Sequence, residues 1–421
     1  MPQRSVLREP IVITGLGLIA SVGANRETVW ENVRLGRGNF RFLSGLDCIP
    51  DGHFIGAQVD LAPSPDGRHK AIVLSELAAD EAIRDARLDL SAVDPTSFGC
   101  TLCGHMGDTS YFREYYGGGP PRKIGQIPWT HQWLPNTACS IVANKYGCLG
   151  PRLSHSTACA SSLISVMAAV HAIRDRQCDL ALAGGADAIC PIFVAGFHQM
   201  RVLATDDDPN RACRPFDRSR KGFVFGEGAA VFVIERLGHA LRRGARIYAE
   251  ISAVKALSQA HHVTGLDAES EALAYLIGTT LAQAELDASE IGYVNAHGTG
   301  TEQNDAAEAR GIRRALGAAA DDVCVSASKS VLGHMINAAG AAELAITALA
   351  LRDGFAPPTM NLTDPDPVCA FDCLPLIGRA GRFQHALKLS LAFGGHLVAV
   401  VLSRWNDAAT GFAYPALSRA A

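Results

Sequence analysis

Apolar runs of strand length alternate with stretches of helical spacing from Ile11 to Ser403. That alternation restricts the chain to an α/β architecture. Ile11–Thr14 reads as a strand, and Asn25–Leu35 as a helix capped by Asn25. Ala71–Ala86 has helical spacing, and Phe98–Cys103 is a second strand. Residues 106–136 form a long polar excursion, rich in Gly and Pro at Gly117–Pro121 and carrying Trp129 and Trp133. Excursions of this length usually build binding walls. Ser161–Arg174 reads as a strongly apolar helix, and Asp179–Ala183 and Ala229–Glu235 as strands with an irregular Pro/Asp-rich segment between them. Leu237–Arg243 is a short helix closed by Gly244.

A similar order of elements then runs again. Arg246–Leu257 reads as a strand, Glu269–Leu286 as a helix and Ile291–Ala296 as a strand. Asp305–Leu316 is a helix closed by Gly317, and Val323–Ser326 a strand. Ala338–Arg352 is an Ala-rich helix, and Leu387–Phe393 and Leu397–Ser403 pair across Gly394–Gly395. With 421 residues, the chain is long enough for two such halves. We expect a division into 1–245 and 246–421.

Composition excludes several classes. Hydrophobic residues make up 48% and charged residues 19%, so the chain is compact rather than disordered. A net charge of −4 argues against a nucleic-acid binder. No apolar run reaches the roughly 18 residues of a membrane span. The start, Met1–Glu9, is polar, and Ile11–Ala24 is broken by glycines, so no secretory signal and no membrane insertion are expected. The twelve cysteines of a cytoplasmic chain should be free thiols. Cys100 and Cys103 lie in strand-like surroundings and read as buried thiols rather than a metal pair.

Three segments carry chemistry. In Ser156–Thr157–Ala158–Cys159–Ala160–Ser161–Ser162, the sulfur of Cys159 falls at the start of an apolar helix, where N–H groups and the helix dipole favour a thiolate. His297 follows an apolar strand in Val294–Asn295–Ala296–His297–Gly298–Thr299–Gly300–Thr301. Lys329 and His334 follow another in Ser326–Ala327–Ser328–Lys329–Ser330–Val331–Leu332–Gly333–His334. Strand ends of α/β proteins are where sites collect. A cysteine can hold an acyl group as a thioester. Two histidines donating Nε–H bonds to one carbonyl oxygen can stabilise an enolate as CO2 leaves a malonyl thioester. Backbone N–H groups at Cys159 and in the Phe393–Gly394–Gly395 turn are candidates for a second oxyanion site. None of this needs a cofactor or a metal. The Thr14–Gly15–Leu16–Gly17–Leu18–Ile19–Ala20 stretch matches a loose dinucleotide pattern, but Ser21, Val22 and Gly23 intervene before the helix, so no nicotinamide site is expected.

Together these motifs resemble the β-ketoacyl-[acyl carrier protein] synthase family, in particular the KAS II type and the related ketosynthases of type II polyketide systems. The resemblance begins at Val12–Gly17 and takes in Ser156–Ser162, Arg214–Pro215–Phe216–Asp217, Gly222–Ala229, Asn295–Thr301, Lys329–His334 and Phe393–Gly395. It implies a thiolase-like αβαβα five-layered sandwich of two similar halves. By resemblance, Cys159 is the acylated nucleophile, His297 and His334 are the decarboxylation pair, and Lys329 organises the site. Thr299 and Thr301 meet the carrier protein's pantetheine arm, and Phe393 is the gate residue beside the nucleophile, with Gly394 next to it at the substrate. Met106 and the tryptophans of the excursion either reshape the acyl pocket or pack as ordinary core. Arg68 and Lys70 would supply a basic docking patch for an acidic carrier. Asn295 and Glu343 match positions near a structural cation. The partners implied are acyl carrier protein, acyl and malonyl thioesters, and either a second copy or a related ketosynthase-like subunit. The chain departs from the family at Ala392 and Leu397, and at Asp206 where an Arg is common. Two other readings stand beside this one: a non-catalytic chain-length-factor-like partner, which would lack the cysteine, and a thiolase, which would carry a second cysteine and one histidine.

Overall fold

The computed structural model describes residues 9–44, 46, 49, 52–104, 132, 134–369 and 371–406. The expected border of the acyl pocket at Met106, and Trp129 and Trp133, lie outside them.

Among the described residues, ten strands join in one sheet. The first five are β1 (Ile11–Ala20), β2 (Phe98–Cys103), β3 (Arg152–Leu153), β4 (Leu180–Asp187) and β5 (Gly228–Arg236). The other five are β6 (Ala249–Ser258), β7 (Ile291–Asn295), β8 (Cys324–Ser326), β9 (His385–Ala392) and β10 (His396–Arg404). The order is β3-β2-β4-β5-β1 followed by β6-β10-β9-β7-β8. Read outward from β1 and from β6, both sets run first, fifth, fourth, second, third. The directions repeat as well: β2 is parallel to β3 and β4, and β7 is parallel to β8 and β9. The two sets meet only where Val12 and Ile13 pair with Glu250 and Ala249.

Helices cover this sheet in layers. On one outer side lie α1 (Lys70–Ala86) and α2 (Thr137–Tyr146), packed on β1, β2, β4 and β5. On the other lie α4 (Glu271–Ala284) against β6 and β10, and α5 (Glu302–Leu316) against α4. Between the halves, α3 (Ser161–Arg174) packs on β2 and β4 while α6 (Ala339–Asp353) packs on β9 and β10, and the two helices touch. Every residue of α6 from Ala339 to Leu351 is buried, as an all-round apolar helix requires. Its small alanines allow close packing against α3, β9 and β10.

Gly15 and Gly17 are not a nucleotide loop. Both lie inside β1, and α1 rests directly on them. A Cβ at Gly15 would sit 2.3 Å from the Ala82 carbonyl oxygen, and one at Gly17 1.9 Å from that of Ala78. The glycines permit helix–sheet contact at a distance no other residue allows. Helix α2 was not anticipated, and neither was the helix Pro191–Gln199, which occupies part of the segment read as irregular. The Cys100 and Cys103 side chains are buried and free, as expected.

Candidate active site

Cys159 stands in a tight turn, Ala158–Ala160, that opens α3. Ala158 adopts φ +47°, a left-handed conformation costly for a residue with a Cβ. Ser161 over-determines this turn: its Oγ accepts from the Thr157 N–H at 2.8 Å and donates to the Ala158 carbonyl at 2.7 Å. The sulfur is almost wholly buried at the base of a cavity of about 480 Å³. Burial pushes the thiol up to about 12, while Lys329 and the residue's own N–H pull it down. The resting group is therefore a thiol. The thiolate expected from the helix terminus alone is offset by loss of solvent.

His297 projects from the loop after β7. Its N–H donates to Glu308 Oε1 at 2.5 Å, and the Gly298 N–H to Glu308 Oε2 at 2.8 Å. Asp305 accepts from the Thr299 and Gly300 N–H groups at 3.0 and 3.2 Å. Two buried carboxylates of α5 thus shape the loop. His334 is held by its own N–H, which donates to the Val224 carbonyl at 2.7 Å, and by an edge-on Phe223 ring at 5.1 Å. Gly333, at φ +71°, lets this segment pass Phe225, whose oxygen would lie 2.7 Å from any Cβ.

The two histidines reach the same state by different means. Lys329 Nζ lies 3.1 Å from His297 Nδ1, so that nitrogen accepts and the ring proton sits on Nε2. The Ile336 N–H donates to His334 Nδ1 at 3.1 Å, again leaving the proton on Nε2. Burial drives both imidazoles well below their ordinary value, and Lys329 adds to the shift. Both are neutral donors. Their rings cross edge to face at 5.4 Å, and one nitrogen of each lies with the Cys159 sulfur inside a 4.8 Å cluster.

Behind them, Glu343 is the only charged side chain in the buried run of α6. Its Oε1 pairs with Lys329 at 2.5 Å and its Oε2 with Lys388 at 2.6 Å. A charge so placed demands partners. Burial lowers Lys388 to about 8, against the pull of Glu343. It raises Glu308 to about 7, against the backbone donors and Lys388. Lys388, Glu308 and Asp305 were missed by the sequence reading. The signal was there for the first: a lone lysine between Leu387 and Leu389 in an apolar strand.

The remaining expectations divide. Thr299 and Thr301 line the cavity and share a hydrogen bond at 2.9 Å. Phe393 lines it as well, 6.1 Å from the Phe197 ring that the unanticipated helix contributes. Gly394 has φ +84°, and its N–H is committed to the Val263 carbonyl at 2.7 Å. That donor is not available to an oxyanion. Ala392 pairs with His396 at the hairpin end, and Leu397 is fully buried. Arg68 and Lys70 are both engaged already: Arg68 with Asp66 at 2.7 Å and with Glu76, Lys70 with Glu227 and the Val59 carbonyl. Asp206 pairs with Arg214. The exposed cations at the cavity mouth are Arg201 and Lys221.

Residues 68–240 match the model of the β-ketoacyl synthase N-terminal domain, and residues 248–363 match that of its C-terminal domain. The chain belongs to the β-ketoacyl synthase family. It is 38% identical to the ketoacyl synthase alpha subunit of the tetracenomycin polyketide synthase of Streptomyces glaucescens, over 94% of this chain and 97% of that one. It is 34% identical to 3-oxoacyl-[acyl-carrier-protein] synthase 2 of Coxiella burnetii, over 94% and 99%. A β-ketoacyl synthase from Burkholderia phymatum superposes with TM-score 0.87 at 29% identity, covering 94% of this chain and all (100%) of that one. A type II polyketide synthase acyl-carrier protein in complex with its ketosynthase bound to the hexaketide gives 0.88 at 29%, covering 95% and 100%. The fold is thus the thiolase-like sandwich of these ketosynthases, and the family is one of acyltransferase-type condensing enzymes. Among the described residues, no helix is long and apolar enough to cross a membrane.

Proposed function

We propose that this ketosynthase is the catalytic subunit of a decarboxylative condensation, with Cys159 as the acyl acceptor. The observation that carries the reading is the cluster of one sulfur and two neutral imidazoles within 4.8 Å at the base of the cavity. The Cys159 sulfur attacks an acyl-carrier thioester, and its proton leaves with the carrier thiol. A malonyl-carrier thioester then enters. Its bond to the carboxylate breaks, CO2 departs, and the electron pair becomes an enolate whose oxygen takes both Nε2–H donors. The enolate carbon attacks the Cys159 thioester, forming the new carbon–carbon bond. The sulfur leaves as a thiolate and takes one proton from solvent, so each condensation consumes one proton as CO2 departs. The product is a 3-oxoacyl-carrier.

Thr299 and Thr301, which line the cavity, would meet the carrier's arm, and Arg201 and Lys221 at its mouth would face an acidic carrier surface. Phe197, Phe223 and Phe393 supply an apolar wall. Lys329 holds the tautomer of His297. The halves are 1–245, bearing the nucleophile, and 246–421, bearing the histidines; the repeated strand order supports this division. The working assembly is a dimer, homomeric or with a related subunit. The latter has a parallel in the ishigamide ketosynthase/chain length factor structure, to which this chain is similar at TM-score 0.85 and 29% identity over 95% of its length and 100% of that chain. A non-catalytic partner role would leave the buried sulfur without a use.

Intact-protein mass after incubation with acyl-loaded carriers tests the assignment. Wild type should gain one acyl group and Cys159→Ala none. An equal gain in the alanine variant would remove Cys159 from the role.

A further inference from the structure

The family resemblance implies a structural cation beside Asn295 and Glu343. The oxygens present there do not fit one, because a side chain of this protein already occupies their centre. The Lys388 ammonium lies 3.4 Å from the Asn295 carbonyl oxygen, 3.3 Å from that of Ala296 and 2.6 Å from Glu343 Oε2, and it donates also to the Leu389 carbonyl. Backbone carbonyls with one carboxylate are the donor set a hard cation takes. Here all four oxygens converge on a fully buried lysine. A metal ion among them would sit against a like charge with no solvent between, an arrangement a dry interior opposes strongly. Among the described residues, Asn295 Oδ1 is buried without a partner, as is Ser390 Oγ two residues along β9 from Lys388. With the other oxygens held by the ammonium, these are too few for an ion that takes several.

The placement has a consequence for His297. Asn295 and Ala296 are the two residues immediately before it, where β7 ends. Their carbonyls are tied through Lys388 to Glu343 on the central helix. Glu343 in turn holds Lys329, which reaches both the His297 carbonyl at 2.5 Å and its Nδ1. Strand end, helix and imidazole are connected through two ammonium groups and one carboxylate.

We propose that Lys388 is the built-in cation of this site: a positioning residue whose ammonium replaces an exchangeable monovalent metal ion and fixes the strand end that presents His297. Covalent attachment keeps the cation from exchanging with the surrounding salt. The enzyme should therefore be indifferent to which monovalent salt surrounds it.

The test uses the full chain, wild type and Lys388→Ser, at one ionic strength in potassium, sodium or tetramethylammonium chloride. Tetramethylammonium is too large to enter the site. Two quantities are read: the thermal midpoint without substrate, and malonyl-carrier decarboxylation. The midpoint does not depend on the proposed reaction, so a failure of one reading is distinguishable from a failure of the other. Wild type should give the same midpoint in all three salts, and its rate should vary less than twofold. Lys388→Ser should lose about 5 °C or more in tetramethylammonium and recover in potassium, which enters the vacated space. Should that variant not fold in any salt, the wild-type series decides the matter alone. The proposal is overturned if wild type itself loses stability or rate when potassium is replaced by tetramethylammonium, since that shows an exchangeable ion. It is equally overturned if Lys388→Ser matches wild type in tetramethylammonium.

Discussion

Lys329 Nζ lies 3.1 Å from His297 Nδ1, and that single contact decides which face of the imidazole carries a proton. Without it the ring would be free to place its proton on Nδ1, and Nε2 would become an acceptor facing the developing enolate. In a Cys159→Ala background, which removes acylation from the readout, Lys329→Met should slow malonyl-carrier decarboxylation by about 10²-fold, the scale of losing one oxyanion donor. Release of labelled CO2 measures it. A rate within twofold of the background would show that Lys329 does not set the tautomer.

The same burial that keeps the histidines neutral makes a prediction about acid. Both are held well below the ordinary imidazole value, so both rings should remain Nε2–H neutral through the range where a free imidazole titrates. Labelled-histidine NMR reports this directly. A ring titrating near 6.5 would contradict the account. Linkage fixes the sign for stability. The unfolded chain takes up protons below about 6.5 that the native histidines refuse. Their contribution is thus fully present above 6.5 and is lost as pH falls, so the thermal midpoint should drop across that window. Glu308, raised to about 7, works the other way: the native state binds its proton first. The net fall therefore should be steeper in Glu308→Gln.

Gly17 offers a test of the fold rather than the chemistry. An alanine methyl there would press 1.9 Å from a helix backbone oxygen, which no side-chain rotation relieves. Gly17→Ala should cost about 2–3 kcal/mol, the upper part of the usual range for overpacking. Denaturant midpoints at unchanged slope measure it. A loss under 0.5 kcal/mol, about the scatter of an ordinary surface substitution, would mean that α1 does not rest on β1 as described.

These examples show where sequence reading succeeds and where it stops. Strand and helix periods carry the order of elements, because each element has one apolar face or stripe with its own repeat. Cys159, His297, His334 and Lys329 are legible because each follows an apolar strand or opens an apolar helix in a Gly- or Ser-rich turn. Gly15 and Gly17 mislead for a physical reason: a glycine that admits a phosphate and one that admits a helix backbone look alike in one dimension. Lys388 stays hidden for another. A lysine in a strand is ordinarily at a solvated face, and only the central helix layer on one side of β9 makes it buried. The helix Pro191–Gln199 carries Phe197 into the cavity wall, yet its Pro-led, glycine-containing run lacks a clear period.

The central claim is that Cys159 holds an acyl group while a malonyl unit loses CO2 onto it. The most direct measurement follows carbon-13-labelled malonyl-carrier through a single turnover on pre-acylated enzyme, reading carrier mass and labelled CO2 together, with His334→Ala alongside. Wild type should give one labelled CO2 for each carrier extended by two labelled carbons, and His334→Ala should stay acylated and release almost none. Consumption of malonyl-carrier without an extended product, or equal CO2 release by His334→Ala, would contradict the account.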